Sequence, residues 1–401
     1  VGDAAVIAQP DTYRDGPPHE LFTELRQRHP VVWVDMSDQP GYWAVLRHAD
    51  VVRVARNSDL FSASAGGVVV EDLDEASLEQ MRDMLLAMDP PRHTAYRRPL
   101  APEFTARVMS GLEARIRAVT RSILDRADEH GHQLEFVHQV CAPLPSQVLG
   151  ELLGLPEADW PELHRMAERN SGGQDPDIGT GDERGSASAE MAAYAYRFAV
   201  DRRLQSPQGD LTDILLGREF DGHLMSEIDF ARFFVQLVTA GNDTTRTMLS
   251  SGLLALLEHP DQLDHLRQHP AAIPGAIEEI LRWANPLHYF RRTATADTEI
   301  NGVRIAAGDK VAMIYTSANR DELVFDNPQA FDIGRDPNPH LSFGIATHFC
   351  LGVHLARLEG RVFFEEVLSR WPGIALAGEP QRQRSNLNNS LKSLPITVGS
   401  S

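Results

Sequence analysis

Residues 226–260 read SEIDFARFFVQLVTAGNDTTRTMLSSGLLALLEHP, and no other stretch limits the fold as tightly. Apolar residues recur at three- and four-residue spacing from Ile228 to Leu257, the period of a helix with a buried face. Ser226 with Asp229 forms a capping-box pattern and Pro260 ends the run. About 30 residues at ~1.5 Å each make a rod of roughly 45 Å, long enough to cross a whole domain. Arg232, Gln236, Asp243 and Arg246 interrupt it too often for a lipid-spanning segment. Its middle is weak, because Gly241 to Thr245 are poor helix formers, each costing several tenths to about 1 kcal/mol relative to Ala. Two readings stay open here. Either Gly241 marks a crossing where another helix comes close, or it opens space beside a bound group. In the second reading Asp243 and Thr244 supply an acid and a hydroxyl that relay protons.

Leu112 to Arg126, Leu144 to Leu153, Met191 to Arg203 and Leu351 to Leu368 carry the same helical period. Strand signals are few. Val31 to Met36 and Gly41 to Leu46 read as a strand pair, and Glu299 to Ile305 as a hairpin turning on Asn301-Gly302. Residues 62–89 and 170–189 are rich in Gly, Ser and Asp and read as long loops, either lids and binding loops or plain linkers. The expected class is mainly α with small β-sheet regions. Without an internal repeat or a dividing linker, residues 1–401 are expected to form one domain.

With 38 basic against 57 acidic side chains, a net charge of -19 argues against nucleic acid or an anionic membrane as partner. Cys141 and Cys350 match neither a zinc spacing nor a disulfide framework, so a cytoplasmic location is expected. VGDAAVIAQPDTYRDG at the start has no basic stretch followed by an apolar run, so neither signal peptide nor membrane anchor is expected. Cys350 ends HLSFGIATHFC and precedes an apolar stripe of Leu351, Leu355, Leu358, Val362 and Phe363. A thiolate at that helix start meets free N–H groups and the positive end of the dipole, which suits a metal ligand or a nucleophile. His348 is near enough in sequence to suggest a base for a cysteine hydrolase, but adjacency does not set that geometry. Glu279 and Arg282, three apart, and His93 and Arg97, four apart after Pro90-Pro91, read singly as ordinary surface pairs.

Taken together, these stretches resemble the cytochrome P450 family, over nearly the whole chain and in the family's order. Its bacterial haem-binding pattern, FGxGxHxCxG, is matched by Phe343, Gly344, His348, Cys350 and Gly352, with Ala346 standing where the family usually has Gly. The resemblance implies a cytochrome P450 fold and haem b, with Cys350 as the axial thiolate. It implies Ala240 and Gly241 beside the haem, and Asp243 and Thr244 as the catalytic pair on the oxygen-activating segment. It further implies His93, Arg97, Arg292 and His348 on the haem propionates, and Glu279, Arg282 and Arg335 as a structural ion network. A thiolate ligand favours O–O cleavage. If Ala346 needs φ > 0, it costs on the order of 1 kcal/mol and shifts the loop around the sulfur.

By the same analogy the substrate pocket is lined by the 62–89 and 170–189 regions, Val238, Leu287, His288, Tyr289, Phe290, Asn388 and Leu391. His288, Asn388 and Asn389 are its polar candidates, each equally readable as core or turn. GNDTTR with FRRTATADTEI is most similar to bacterial members that oxidise steroids, terpenoids and other lipids. The implied function is monooxygenation of a largely apolar small molecule or secondary-metabolism intermediate with O2. Electrons would come from a separate ferredoxin and ferredoxin reductase, docked on a patch of Arg97, Arg98, Arg357 and Arg361. A monomer is expected. The rival readings are a tailoring oxidase for a carrier-bound or aromatic substrate, a peroxide-driven enzyme, and a non-enzymatic haem-thiolate sensor.

Overall fold

The computed structural model describes residues 2–171, 174–179 and 181–399. Eight helices carry the architecture used below: α1 (Arg92–Leu100), α2 (Glu113–Glu129), α3 (Pro143–Leu152), α4 (Trp160–Ser171), α5 (Gly181–Arg203), α6 (Glu227–Glu258), α7 (Ile273–Ala284) and α8 (Val353–Arg370). The long helix α6 is the axle, and α3, α4, α5, α7 and α8 all pack against it. Its N-terminus is capped as its sequence requires. Ser226 Oγ accepts from Asp229 N–H at 3.1 Å and donates to Asp229 Oδ2 at 2.7 Å, satisfying a backbone donor that no turn precedes. Phe230, Phe234, Leu249, Leu253 and Leu256 are buried along it in a continuous helical core.

A mixed sheet flanks this core, built from β1 (Val31–Val34), β2 (Tyr42–Val45), β3 (Phe61–Ser62), β4 (Tyr289–Ala294) and, after the hairpin strands β5 (Thr298–Ile300) and β6 (Val303–Ile305), β7 (Lys310–Ile314). Its order is β1-β2-β7-β4-β3, parallel only between β2 and β7. Every residue of β7 is buried, as a strand covered on both faces must be. The β5–β6 turn places Asn301 at φ 50° and Gly302 at φ 79°, the left-handed pair that a two-residue hairpin demands.

Two loop expectations are corrected. Residues 62–89 contain a helix at Glu75–Arg82, whose cap is Asp74 Oδ1 accepting from Ser77 N–H at 2.9 Å. The Gly/Ser/Asp-rich 170–189 region is largely helical, since α5 begins at Gly181, ten residues before its apolar period becomes visible. Gly172, Gly173 and Thr180 of that region lie outside the described residues. Asp175, buried to 1% exposure, fastens the short connection, accepting from Arg384 N–H at 2.9 Å. No described helix is long and apolar enough to cross a membrane.

Candidate active site

The segment before α8 is a tight turn that presents a sulfur. Gly344 N–H donates to Leu341 O at 2.8 Å and Cys350 N–H to Phe343 O at 2.8 Å. Gly344 has φ 66° and Ala346 φ 60°, both left-handed. Gly344 adopts this freely, whereas Ala346 holds its Cβ against the following carbonyl. The expectation for Ala346 therefore has its answer: the position does require positive φ. Ala346→Gly is expected to raise stability by about 0.5–1 kcal/mol, the relief of strain less the unfolded-state entropy of glycine. The midpoint of denaturant unfolding checks it.

Burial pushes the Cys350 thiol up, while the Gly352 N–H and the charges of Arg97 and Arg357 pull it down. Phe343 forms one wall, with the Arg357 guanidinium 5.1 Å from its ring centroid and Phe349 edge-on at 6.4 Å. Arg97 reaches the same turn, donating to Phe349 O at 2.6 Å and Thr347 O at 3.4 Å. Beside it the His93 and His348 rings lie 4.5 Å apart. Burial, Arg97 and Arg292 hold His93 down at about 4, and burial, Arg292 and His93 hold His348 at about 3. Both imidazoles are therefore neutral at pH 7.

This cluster is rich in donors and poor in acceptors. Among the described residues, His348 Nε2 is buried without a hydrogen-bond partner, and the Arg292 side chain donates only to the neighbouring Arg291 carbonyl. Asp89, the carboxylate that acts on both histidines, is itself held by Ser62, Ala63 and Ser64. Two guanidiniums and two imidazoles converging without an anion of their own suit a ligand bearing two carboxylates, and the donor set fits haem propionates.

On α6, Ala240 is exposed and Thr244 half-buried, although their neighbours Val238, Asp243 and Thr245 are buried. The open stripe of α6, which passes Gln236 and Ala240, thus ends at Thr244. Thr244 Oγ1 donates to Ala240 O at 2.6 Å, a back-bond that loosens the turn and leaves the hydroxyl oxygen as an acceptor. Gly241 fits the first of its two readings. A Cβ there would lie 2.6 Å from Leu149 Cδ1, the end of a flexible side chain, so this glycine sits at the crossing of α6 with α3. Asp243 faces away from solvent, pairing with Arg246 and accepting from Ser390 Oγ at 3.4 Å. Arg246, Glu168, His164 and His138, which meet near it, were not singled out from the sequence. Only the i,i+3 spacing of Asp243 and Arg246 and the i,i+4 spacing of His164 and Glu168 signalled them.

Glu279 and Arg282 are no surface pair. Both side chains are 0% exposed, joined at 2.7 Å and 2.8 Å, and Arg335 Nε lies 3.2 Å from Glu279 Oε2. The docking patch is corrected too. Arg357 is paired with Glu278 at 2.6 Å, and Arg361 with Glu113 and Glu365 at 2.6 Å and 3.0 Å, so their charge is largely neutralised where the expectation had it free.

The residues assigned to the substrate pocket divide. Leu287, Phe290 and Asn388 are partly exposed, Leu287 bridging to Asn388, and Phe290 packing on the small cluster of Ala63, Val68 and Ala87. Val238, Tyr289 and Leu391 are core residues, 3%, 3% and 0% exposed. His288 lies against Tyr13 at 4.3 Å between ring centroids and hydrogen-bonds Thr316 Oγ1 at 2.9 Å. Asn389 Nδ2 donates to Ala284 O at 2.8 Å.

The family model for "Cytochrome P450" matches residues 186–386. A steroid C26-monooxygenase of Rhodococcus jostii is 37% identical over 97% of this chain and 84% of its own length. A methyl-branched lipid omega-hydroxylase of Mycobacterium tuberculosis is 38% identical over 99% of this chain and 94% of its own. A Mycobacterium marinum cytochrome P450 solved in complex with pseudoionone superposes with a TM-score of 0.88 at 37% identity, covering 94% of each chain. Similarity of this degree, sustained from end to end over a thiol turn and donor cluster of this geometry, fixes the assignment: the chain belongs to the cytochrome P450 family, as a haem b monooxygenase.

Proposed function

We propose that the protein hydroxylates or epoxidises an apolar molecule of the steroid or methyl-branched lipid type, with electrons from a separate ferredoxin. The observation that carries the substrate class is the occupation of the polar groups nearest Leu287 and Phe290. Asn285 donates to Leu287 O, His288 bonds Thr316, and Asn389 holds the end of α7. Asn285 and Asn389 are thereby satisfied and reward no polar ligand, His288 keeps only its Nε2 buried without a partner, and Leu287 and Phe290 offer apolar surface.

The residues then have these roles. Cys350 supplies the thiolate, steadied by the Gly352 N–H and by Arg97 and Arg357. His93, Arg97, Arg292 and His348 grip the two carboxylates of the cofactor. Haem, when bound, supplies the activation of O2 and the transfer of one oxygen atom. Thr244 offers its hydroxyl oxygen on the open face of α6, and Asp243, the residue before it and shielded from solvent, is placed to pass a proton outward to it. The relatives named for steroid and methyl-branched lipid oxidation support this reading.

The test is a spectral binding screen of the purified ferric protein against steroids, methyl-branched fatty acids, terpenes and aromatic acids. Turnover with NADH, a ferredoxin and its reductase follows. A Soret shift and a product bearing one added oxygen are expected with the apolar classes. A response confined to aromatic acids or to carrier-bound acyl chains would overturn the substrate class, and turnover independent of ferredoxin would overturn the electron source.

A further inference from the structure

Behind Asp243, on the side of α6 packed by α4, lies a polar seam that the roles above do not use. Glu168 is its centre. One carboxylate oxygen, Oε1, lies 3.0 Å from His138 Nδ1, 3.6 Å from His164 Nε2 and 3.6 Å from Arg246 Nη1, and the other terminal nitrogen of Arg246 pairs with Asp243. His164, Glu168, Asn242, Asp243 and Arg246 line a half-open crevice of about 10 Å³, the least room one water needs. At the outer end the His138 side chain is 50% exposed. The seam therefore runs from solvent to a buried carboxylate.

The chemistry of the two histidines differs. His138 faces an acceptor at each ring nitrogen, the Glu168 carboxylate at Nδ1 and Lys392 O at Nε2, 3.0 Å away in both cases. Only the imidazolium satisfies both. His164 is more enclosed. Its Nδ1 lies 2.9 Å from Ser146 Oγ, which donates on to Asn242 Oδ1 at 2.6 Å. The hydrogen bond to Glu168 raises His138, while burial lowers His164. One carboxylate thus stands between a histidine whose surroundings favour the imidazolium and one whose surroundings favour the neutral ring, the arrangement that defines donor and acceptor. Arg246 cannot release a proton, so it serves as a clamp on Glu168 and Asp243, and the water-sized crevice is the conduit past it.

We propose that His138 and Glu168 form the proton entry of this enzyme, delivering protons from solvent to Asp243. The proposal rests on the monooxygenase reading. In each cycle the His138 Nδ1–H bond breaks as the proton passes to a Glu168 oxygen. Glu168 yields it through water to Asp243, and His138 is reprotonated from solvent, so no group changes charge over the cycle. His138 is faced by Glu168 and by Arg246 from the helices packed on it, by the Lys392 carbonyl, and by Glu135 on its own segment. Glu168 is faced by His138, His164 and Arg246.

Two measurements on the holoprotein test this. In an NMR titration, the His138 ring is expected to titrate above ordinary histidine in the wild type and about one pH unit lower in Glu168→Gln. In turnover, Glu168→Gln and His138→Gln are expected to lower product formation about tenfold and to raise the solvent deuterium isotope effect. Reductant consumed per product should rise, with spectral substrate binding unchanged. Glu168→Asp, which keeps a carboxylate, should restore part of the rate. A His138 titration indifferent to Glu168→Gln, or variants with the wild-type isotope effect, would overturn the relay. Failure of the wild type to oxygenate any substrate would instead overturn the monooxygenase reading, while the titration still judges the His138–Glu168 link.

Discussion

Arg282→Ala is expected to cost about 3–5 kcal/mol, enough to leave little folded protein. All five N–H donors of Arg282 are used. Nε and Nη2 bind Glu279, Nη1 binds Asn319 O and Pro328 O at 3.0 Å and 2.9 Å, and Nη2 also binds Ala330 O at 2.9 Å. Truncation strands the carbonyls of Asn319 and Pro328, leaves Ala330 O with its bond from Arg335 Nη2 at 3.1 Å, and takes from buried Glu279 the closer of its two guanidinium partners, Arg335 remaining. The segment so held leads directly into the cysteine turn, with Asn319 accepting from Leu341 N–H at 2.7 Å. Thermal unfolding and haem content of the purified variant measure the effect. Arg282→Lys keeps the charge but loses the fork, so it is expected to recover only part of the loss. A stable, fully haem-loaded Arg282→Ala protein would refute the argument.

Asp243→Asn is expected to lower turnover about 100-fold, the scale of a lost general acid and roughly 2.7 kcal/mol in the barrier. The substitution preserves shape: Asn can still accept from Arg246 through its oxygen, and its Nδ2 can donate to Ser390 Oγ, so both contacts hold the side chain in place. What it removes is the capacity to carry a proton. Substrate-induced spectral change should therefore keep its affinity while kcat collapses, the mark of a group that acts after binding. A variant that loses binding and turnover together would assign Asp243 to packing of α6 instead.

The helical frame was legible because it rests on local pattern. Ser226, Asp229, Pro260 and the apolar period give α6 its limits to within a residue or two. What escaped depends on partners distant in the chain. The i,i+3 spacing of Glu279 and Arg282 is the same whether water or protein surrounds it, and only residues 319–335 bury the pair. Gly241 offered two meanings, and the crossing is visible only with Leu149, some ninety residues earlier, in place. The start of α5 lacked an apolar stripe, and helix propensity without periodicity is a weak signal. The cysteine turn was readable as a motif, yet the left-handed φ of Ala346 could be posed only as a condition until the backbone was in view.

The meeting of His93, Arg97, Arg292 and His348 bears on how the enzyme comes into being. The four arrive from α1, from β4 and from the turn before α8, sites up to 255 positions apart (348 − 93). Gathering two guanidiniums in a half-dry space is unfavourable until a dianion joins them. A ligand that binds only the folded chain adds about 4 kcal/mol to stability when present at a thousand times its dissociation constant. Biogenesis is thereby tied to porphyrin and iron supply. The apoprotein is therefore expected to unfold at a lower denaturant concentration than the haem-loaded protein.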